Sequence, residues 1–280
     1  MRCFLLPTFS CTQNPYSALI RQIIATMKIG AVLFLGTFGS TLFIEMGSLA
    51  LAEEMGEAKE LPRRVLRHTP SISKEWTFEK YGQTSTPPDF FAETLGAGRP
   101  AEWTLAKQDG APSHSHVLRQ SAPCSSDDCY QILISEKVRA KYMDLSVGIL
   151  ANLGTPTSGA GLIFNAQDGK NFLAVLVYPA TNTAKAFQFI DGKPILLKEQ
   201  EVFPKKRSTW HFMRIYQTSI VSREVVELSF DNKFLMSIEP KNLKSGNVGL
   251  ITTGDGSFAF DNLRAVEVTT GIPISRPPAY

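Results

Sequence analysis

From residue 76 onward the chain is cut every few residues by Gly, Pro, Asn or Asp, and no apolar run between the cuts keeps a helical period with caps. Such a texture leaves little room for anything but extended structure. Fourteen strands are predicted, over 76–78, 102–108, 116–119, 130–135, 143–150, 160–165, 172–178, 185–190, 193–198, 210–217, 224–230, 233–238, 247–253 and 258–268. Asp191-Gly192 and Asp231-Asn232 sit between such runs and read as hairpin turns. Many short strands at roughly 8–12-residue spacing point to an antiparallel sandwich or barrel. An all-β region of this length is expected to be one domain.

The beginning of the chain has a different texture. Lys28 precedes an uncharged run over 29–44, the apolar character resumes over 46–52, and Glu53-Glu54 ends it. A basic start, an apolar middle and the exit Ala50-Leu51-Ala52 form a signal-peptide pattern, with cleavage expected after Ala52 and Met27 as the natural start. Residues 1–52 are thus an upstream extension plus signal, 53–75 a charged flexible lead-in, 76–270 the sandwich and 271–280 a tail. The competing reading keeps 29–52 as a membrane anchor, against which Glu45 counts. Export to the periplasm or outside the cell is the expectation, with no membrane span after cleavage.

Export changes the balance of charge. The full chain of 280 residues has 29 basic and 26 acidic side chains. Without Arg2, Arg21, Lys28 and Glu45, 26 and 25 remain, so no nucleic-acid partner is expected. Cys3 and Cys11 leave with the signal. Cys124 and Cys129, five positions apart, are then expected to form a local disulfide.

One ordered series of motifs spans the second half. It contains Gly159-Ala160-Gly161-Leu162-Ile163-Phe164, Asp168-Gly169-Lys170-Asn171-Phe172, Trp210-His211-Phe212-Met213-Arg214-Ile215, Gly246-Asn247-Val248-Gly249-Leu250-Ile251 and Phe260-Asp261-Asn262-Leu263. The series resembles the concanavalin A-like lectin/glucanase superfamily, and within it laminin-G-like modules and the 3-keto-disaccharide hydrolase-type domain. That resemblance implies an antiparallel β-sandwich jelly roll used as a glycan-binding or surface-interaction module. A carbohydrate-active hydrolase and a structural envelope protein are the alternatives, and a glycan or an envelope component is the implied partner. The chain departs from relatives at Asn165, Phe172-Leu173, Leu176 and Ile251, where they carry basic or aromatic residues more suited to a sugar.

Alternation assigns roles within the series. Ala160, Leu162 and Phe164 share one face, Trp210 and Phe212 another, with Trp210 expected as a plug between sheets. Asp261 is expected either to face away from the side of Phe260 or to accept backbone hydrogen bonds. Asn165 and Asn171 are the candidate sugar-binding amides, on neighbouring strands of the concave sheet. Trp103 and Tyr178, with Tyr81, are candidate stacking rings. Asp255 and Asp261 are candidate calcium ligands; no other cofactor is implied. No catalytic residue is assigned. Glu224 and Glu227 are three apart and point to opposite faces of a strand, whereas a glycosidase needs its carboxylates on one face. His114 and His116 could share a face, but two imidazoles in a serine-rich loop fall short of a metal site.

Overall fold

The computed structural model describes residues 72–81, 86–120, 124, 126, 128–151, 154–202, 208–220 and 223–269. The apolar N-terminal segment, its cleavage site, most of the lead-in, the Lys205-Lys206-Arg207 run and the C-terminal tail lie outside these residues. Fifteen strands form among the described residues: β1 (Ser73–Trp76), β2 (Phe90–Leu95), β3 (Trp103–Lys107), β4 (His116–Gln120), β5 (Tyr130–Ala140), β6 (Met143–Ala151), β7 (Gly159–Ala166), β8 (Phe172–Tyr178), β9 (Thr183–Ile190), β10 (Lys193–Glu201), β11 (Trp210–Ile220), β12 (Arg223–Phe230), β13 (Lys233–Ile238), β14 (Gly246–Thr253) and β15 (Phe258–Glu267). None of the described residues is helical, so among them no helix is long and apolar enough to cross a membrane.

All pairing is antiparallel. One sheet runs β13-β12-β11-β6-β15-β4-β3, with β1 added alongside β15, and the other runs β10-β9-β8-β7-β14-β5-β2. Neighbours within a sheet are often distant in sequence, because the chain repeatedly crosses from one sheet to the other. Two such sheets packed face to face are the jelly-roll sandwich expected from the motif series.

The two-residue periodicity of a strand sorts side chains between faces. Ala160, Leu162 and Phe164 point into the main core, as do Leu173, Val175 and Val177 of β8 and Met213 and Ile215 of β11. Trp76 and Trp103 are the large plugs of this core, 5.2 Å from Phe90 and 5.8 Å from Phe260 between ring centroids. Trp210 is not one of them. It lies half-buried on the outer face of the first sheet over Val117, Leu150 and Ala259. The reason is parity: Met213 and Ile215 take the inward positions of β11, so Trp210, Phe212 and Arg214 take the outward ones.

The second sheet carries a core of its own on the opposite face. Tyr130, Ile132 and Ile134 of β5, Ile163 of β7, Phe172, Leu176 and Tyr178 of β8, Phe187 and Phe189 of β9 and Ile251 of β14 are all buried there. Tyr130 and Phe189 meet edge to face at 5.0 Å, although β14, β7 and β8 separate their strands. Four strand spacings of about 4.8 Å would hold them about 19 Å apart in a flat sheet. The sheet is therefore curled until its far sides touch. Gly161 and Gly249 permit the curl: a β-carbon on the first would strike the Val175 carbonyl, and on the second the Leu133 carbonyl.

Candidate functional site

The curled face is the concave side of the sandwich, and its centre is filled. Phe172 stacks on Phe189 at 4.4 Å, with Phe187 6.1 Å from Phe189. An open sugar platform across the middle of this sheet is therefore absent among the described residues. Among the described residues two depressions lie at the β8–β9 hairpin, one at each end.

The first, of about 260 Å³, lies where β8 ends and β9 begins. Tyr178, Tyr130 and Phe187 supply aromatic walls, and Thr157, Thr181, Thr183 and Thr253 supply hydroxyls. Lys185 and Glu199 face each other across the β9–β10 ladder at 3.5 Å, with the lysine ammonium 5.3 Å from the Tyr178 ring centroid. Tyr178 is only 7% exposed, so it presents an edge rather than an open ring face. Burial, with Tyr130 and Glu199 nearby, holds its phenol above the ordinary tyrosine range, so it enters the site as a neutral hydroxyl.

The mouth of this depression is built by short-range chemistry. Oδ1 of Asp255 accepts hydrogen bonds from the Thr155 N–H (2.9 Å), the Thr155 hydroxyl (2.8 Å) and the Ser158 hydroxyl (2.7 Å), and so clamps the segment that carries Pro156 and Thr157. Behind Tyr130 the Cys124–Cys129 disulfide is formed, with Cα atoms 5.2 Å apart. The Cys124 N–H donates to the Gly254 carbonyl, and the Thr253 hydroxyl to the Cys129 carbonyl.

The second depression, of about 280 Å³, lies at the opposite end of the hairpin. Asn165 and Asn171 both line it, so the structure brings these two residues to one place. Neither presents a free amide. Asn165, with φ near 51°, is buried; its Nδ2 donates to the carbonyls of Lys141 and Lys244 and its Oδ1 accepts from Gln217. Asn171 stands in the turn before β8, donates to the Asp168 carboxylate and accepts the Asp191 N–H. Both amides are spent on holding turns.

The other expected site residues fall elsewhere. Trp103 is wholly buried in the main core and reaches neither depression. Tyr81 donates to Asp89 at the other side of that core. Asp261 is wholly buried and accepts the Ser113 N–H (2.7 Å), the Ser113 hydroxyl (2.8 Å) and the Asn262 N–H (2.7 Å), the second of the two roles expected for it. Burial outweighs these donors and raises its carboxyl. Among the described residues no three His, Cys, Asp or Glu side chains come together to hold a metal; Asp261 has both oxygens committed to N–H and O–H donors, and Asp255 has its Oδ1 committed. They do not fit a calcium cage.

His116 is tied to Glu79, not to a metal. The Ser115 and His116 N–H groups donate to Glu79 Oε1 at 2.8 and 2.7 Å, and the imidazole meets Oε2 at 2.7 Å. Burial pushes the Glu79 carboxyl up, but these contacts outweigh it and hold the group at about 2. Glu224 and Glu227 alternate as expected: the former pairs with Lys141 at 2.8 Å and the latter is exposed. Lys185, Glu199 and the threonines went unassigned in the sequence. Their one signal was alternation, since Thr183, Lys185, Phe187 and Phe189 share a face.

No protein-family model matches the chain, and neither does any curated protein. Solved structures do. A Bacillus subtilis carbohydrate-binding module, CBM66, aligns over 63% of this chain and 95% of its own at 15% identity and a TM-score of 0.48. A Bacillus licheniformis beta-glucanase aligns over 70% and 98% at 10% identity and a TM-score of 0.49. The exoplasmic/lumenal domain of VIP36, in a form bound to Ca²⁺ and mannose, aligns over 68% and 88% at 13% identity and a TM-score of 0.45. Nothing about ligand or activity passes across likenesses this distant. Its own strand order, rather than these neighbours, gives the chain the jelly-roll sandwich that the motif series implied.

Proposed function

We propose that this chain is an exported glycan-binding module that holds a saccharide in the depression at the Tyr178 end of the concave sheet. One observation carries the reading: aromatic edges from Tyr130, Tyr178 and Phe187 converge with four threonines and the Lys185–Glu199 pair in a single open depression. Apolar walls suit the C–H faces of a sugar ring, and a few convergent hydroxyls and charges orient it. The departures at Leu176 and Ile251 fit the same picture. Both side chains belong to the packed floor, so the ligand is confined to the end of the sheet.

Binding rather than hydrolysis is supported by the carboxylates. Hydrolysis by the general acid–base route needs two, set about 5–10 Å apart across the bond. Among the described residues Glu199 is the sole carboxylate lining this depression. The local disulfide favours an oxidising compartment. Export is checked by N-terminal sequencing of the secreted protein, with Glu53 as the expected first residue.

The test is affinity electrophoresis of the full chain in gels containing neutral polysaccharides. Retardation without release of reducing ends is expected, and Thr183→Val combined with Lys185→Met should abolish it. Retardation that survives this double change would refute the site. Absence of retardation by every polysaccharide tried, with a cooperative melt retained, would refute the function.

A further inference from the structure

The depression at the other end of the β8–β9 hairpin has a different chemistry. Its walls are the start of β8, the end of β9, residues 165 and 167 at the end of β7, and the segment 240–244. Among the described residues no carboxylate lines it, whereas two lysines do, Lys241 and Lys244. Both are exposed, and among the described residues neither ammonium has an ion-pair or hydrogen-bond partner. Two of the nearby acids are engaged elsewhere, and the exposed Asp191, beside Ile190, is not among the lining residues. Glu239 meets Arg223 at 3.9 Å, and Asp168 is occupied by the Lys170 and Asn171 N–H groups and the Asn171 amide.

The lysines are held in place rather than scattered. Leu243 lies between them in sequence and is sunk in the main core at 7% exposure. Asn242, with φ near 58°, turns the chain before it. The Asn165 amide, which donates to the Lys244 carbonyl, and the Gln167 amide, which donates to the Ser245 carbonyl, fasten the same segment to the end of β7. The half-buried side-chain amide of Gln188 completes the wall, with no partner among the described residues.

From this geometry we infer that the depression is an anion-binding site for a small oxyanion, whether a free sulfate or the carboxylate of an acidic sugar. The cations set the sign, Gln188 offers a neutral donor, and the locked amides of Asn165, Gln167 and Asn171 keep the cup from collapsing. A volume of about 280 Å³ sits just below the roughly 300–1,000 Å³ of pockets for drug-sized ligands, which restricts the occupant to one such group. The inference does not depend on the saccharide reading of the Tyr178 depression, because the residues, charge and ligand class all differ.

The experiment is an amide-resolved NMR titration of the full chain with sodium sulfate, with sodium glucuronate and with neutral glucose. Sulfate and glucuronate should shift the resonances of 240–244 and Gln188, and glucose should not. Saturation by glucuronate alone would assign an acidic sugar, and saturation by both a general oxyanion. Lys241→Gln with Lys244→Gln should weaken binding at least tenfold, while Lys193→Gln, outside the depression, should leave it unchanged. Binding should also weaken with added salt, as screening shortens from about 30 Å at 0.01 M to about 3 Å at 1 M. Equal shifts in the double variant, no response to either anion, or an equal response to glucose at 240–244 would each overturn the site.

Discussion

Asp255 and Asp261 stand six positions apart, accept three hydrogen bonds each, and respond to pH in opposite directions. Asp255 is exposed, so the donors act almost unopposed: the Thr155 N–H first, then the Ser158 and Thr155 hydroxyls, hold its carboxyl at about 2. Asp261 is sealed from water, and the cost of burying its charge exceeds what Ser113 and Asn262 return. An unfolded aspartate titrates near 3.9. The depressed Asp255 therefore contributes stability above about pH 3.9 and loses it as pH falls toward 2. The raised Asp261 contributes below about pH 3.9 and loses its share as pH climbs through the folded value. A carbon-detected NMR titration should show the two carboxyls moving apart on either side of 3.9. Coincident midpoints would refute the assignment. At the sequence level both residues read alike, as oxygen ligands beside glycine or asparagine. Their difference is burial and donor supply, and the donors come from Thr155, Ser158 and Ser113, about 100 or more positions away.

Strands were the most legible elements, because turn residues bracket them and alternation runs through them. The expected spans 172–178 and 233–238 coincide with β8 and β13. The missed strand, β2, begins with the adjacent pair Phe90-Phe91 and places both Glu93 and Thr94 at half-buried positions. Its alternation is blurred, and only its pairing with β5 declares it a strand. Parity was harder still. Alternation grouped Trp210 with Phe212 correctly but could not say which face meets the core, since β11 is apolar on both. The partner sheet decides, and it takes Met213 and Ile215. The energetic consequence can be measured. Trp103→Ala should cost about 3–5 kcal/mol in urea unfolding, as for a large core truncation. Trp210→Ala, which removes a half-buried ring from a surface cluster, should cost about 1–2 kcal/mol. A larger loss at 210 than at 103 would return the plug to β11.

At the scale of the whole molecule, the curl of the second sheet decides where any ligand can sit. A flat sheet would have left this face open to a chain of sugars. Here the turns at Gly169 and Gly192 reach β2, so a β-carbon added at the first would collide with the Glu93 carboxylate and at the second would touch Leu95 at 3.5 Å. Aromatic rings fill the space enclosed, and among the described residues depressions lie at its ends. None of this is local to a sequence window. The glycines at 161 and 249 were legible as sites of close approach, but what approaches them is set by strands far along the chain. The disulfide acts at the same scale. Spanning five positions, it closes too short a loop to stabilise by more than about 2 kcal/mol. Its position matters more than its energy, because it fixes Cys129 against Gly98 and the backbone next to Tyr130 and Thr253, two walls of the Tyr178 depression. Cys124→Ser with Cys129→Ser should therefore lower thermal stability modestly, keep a cooperative melt, and release retained polysaccharide in affinity electrophoresis. Anion binding at Lys241 and Lys244, at the far end of the hairpin, should survive the same change. Equal loss at both depressions would mean that the bridge supports the sandwich as a whole rather than one of its ends.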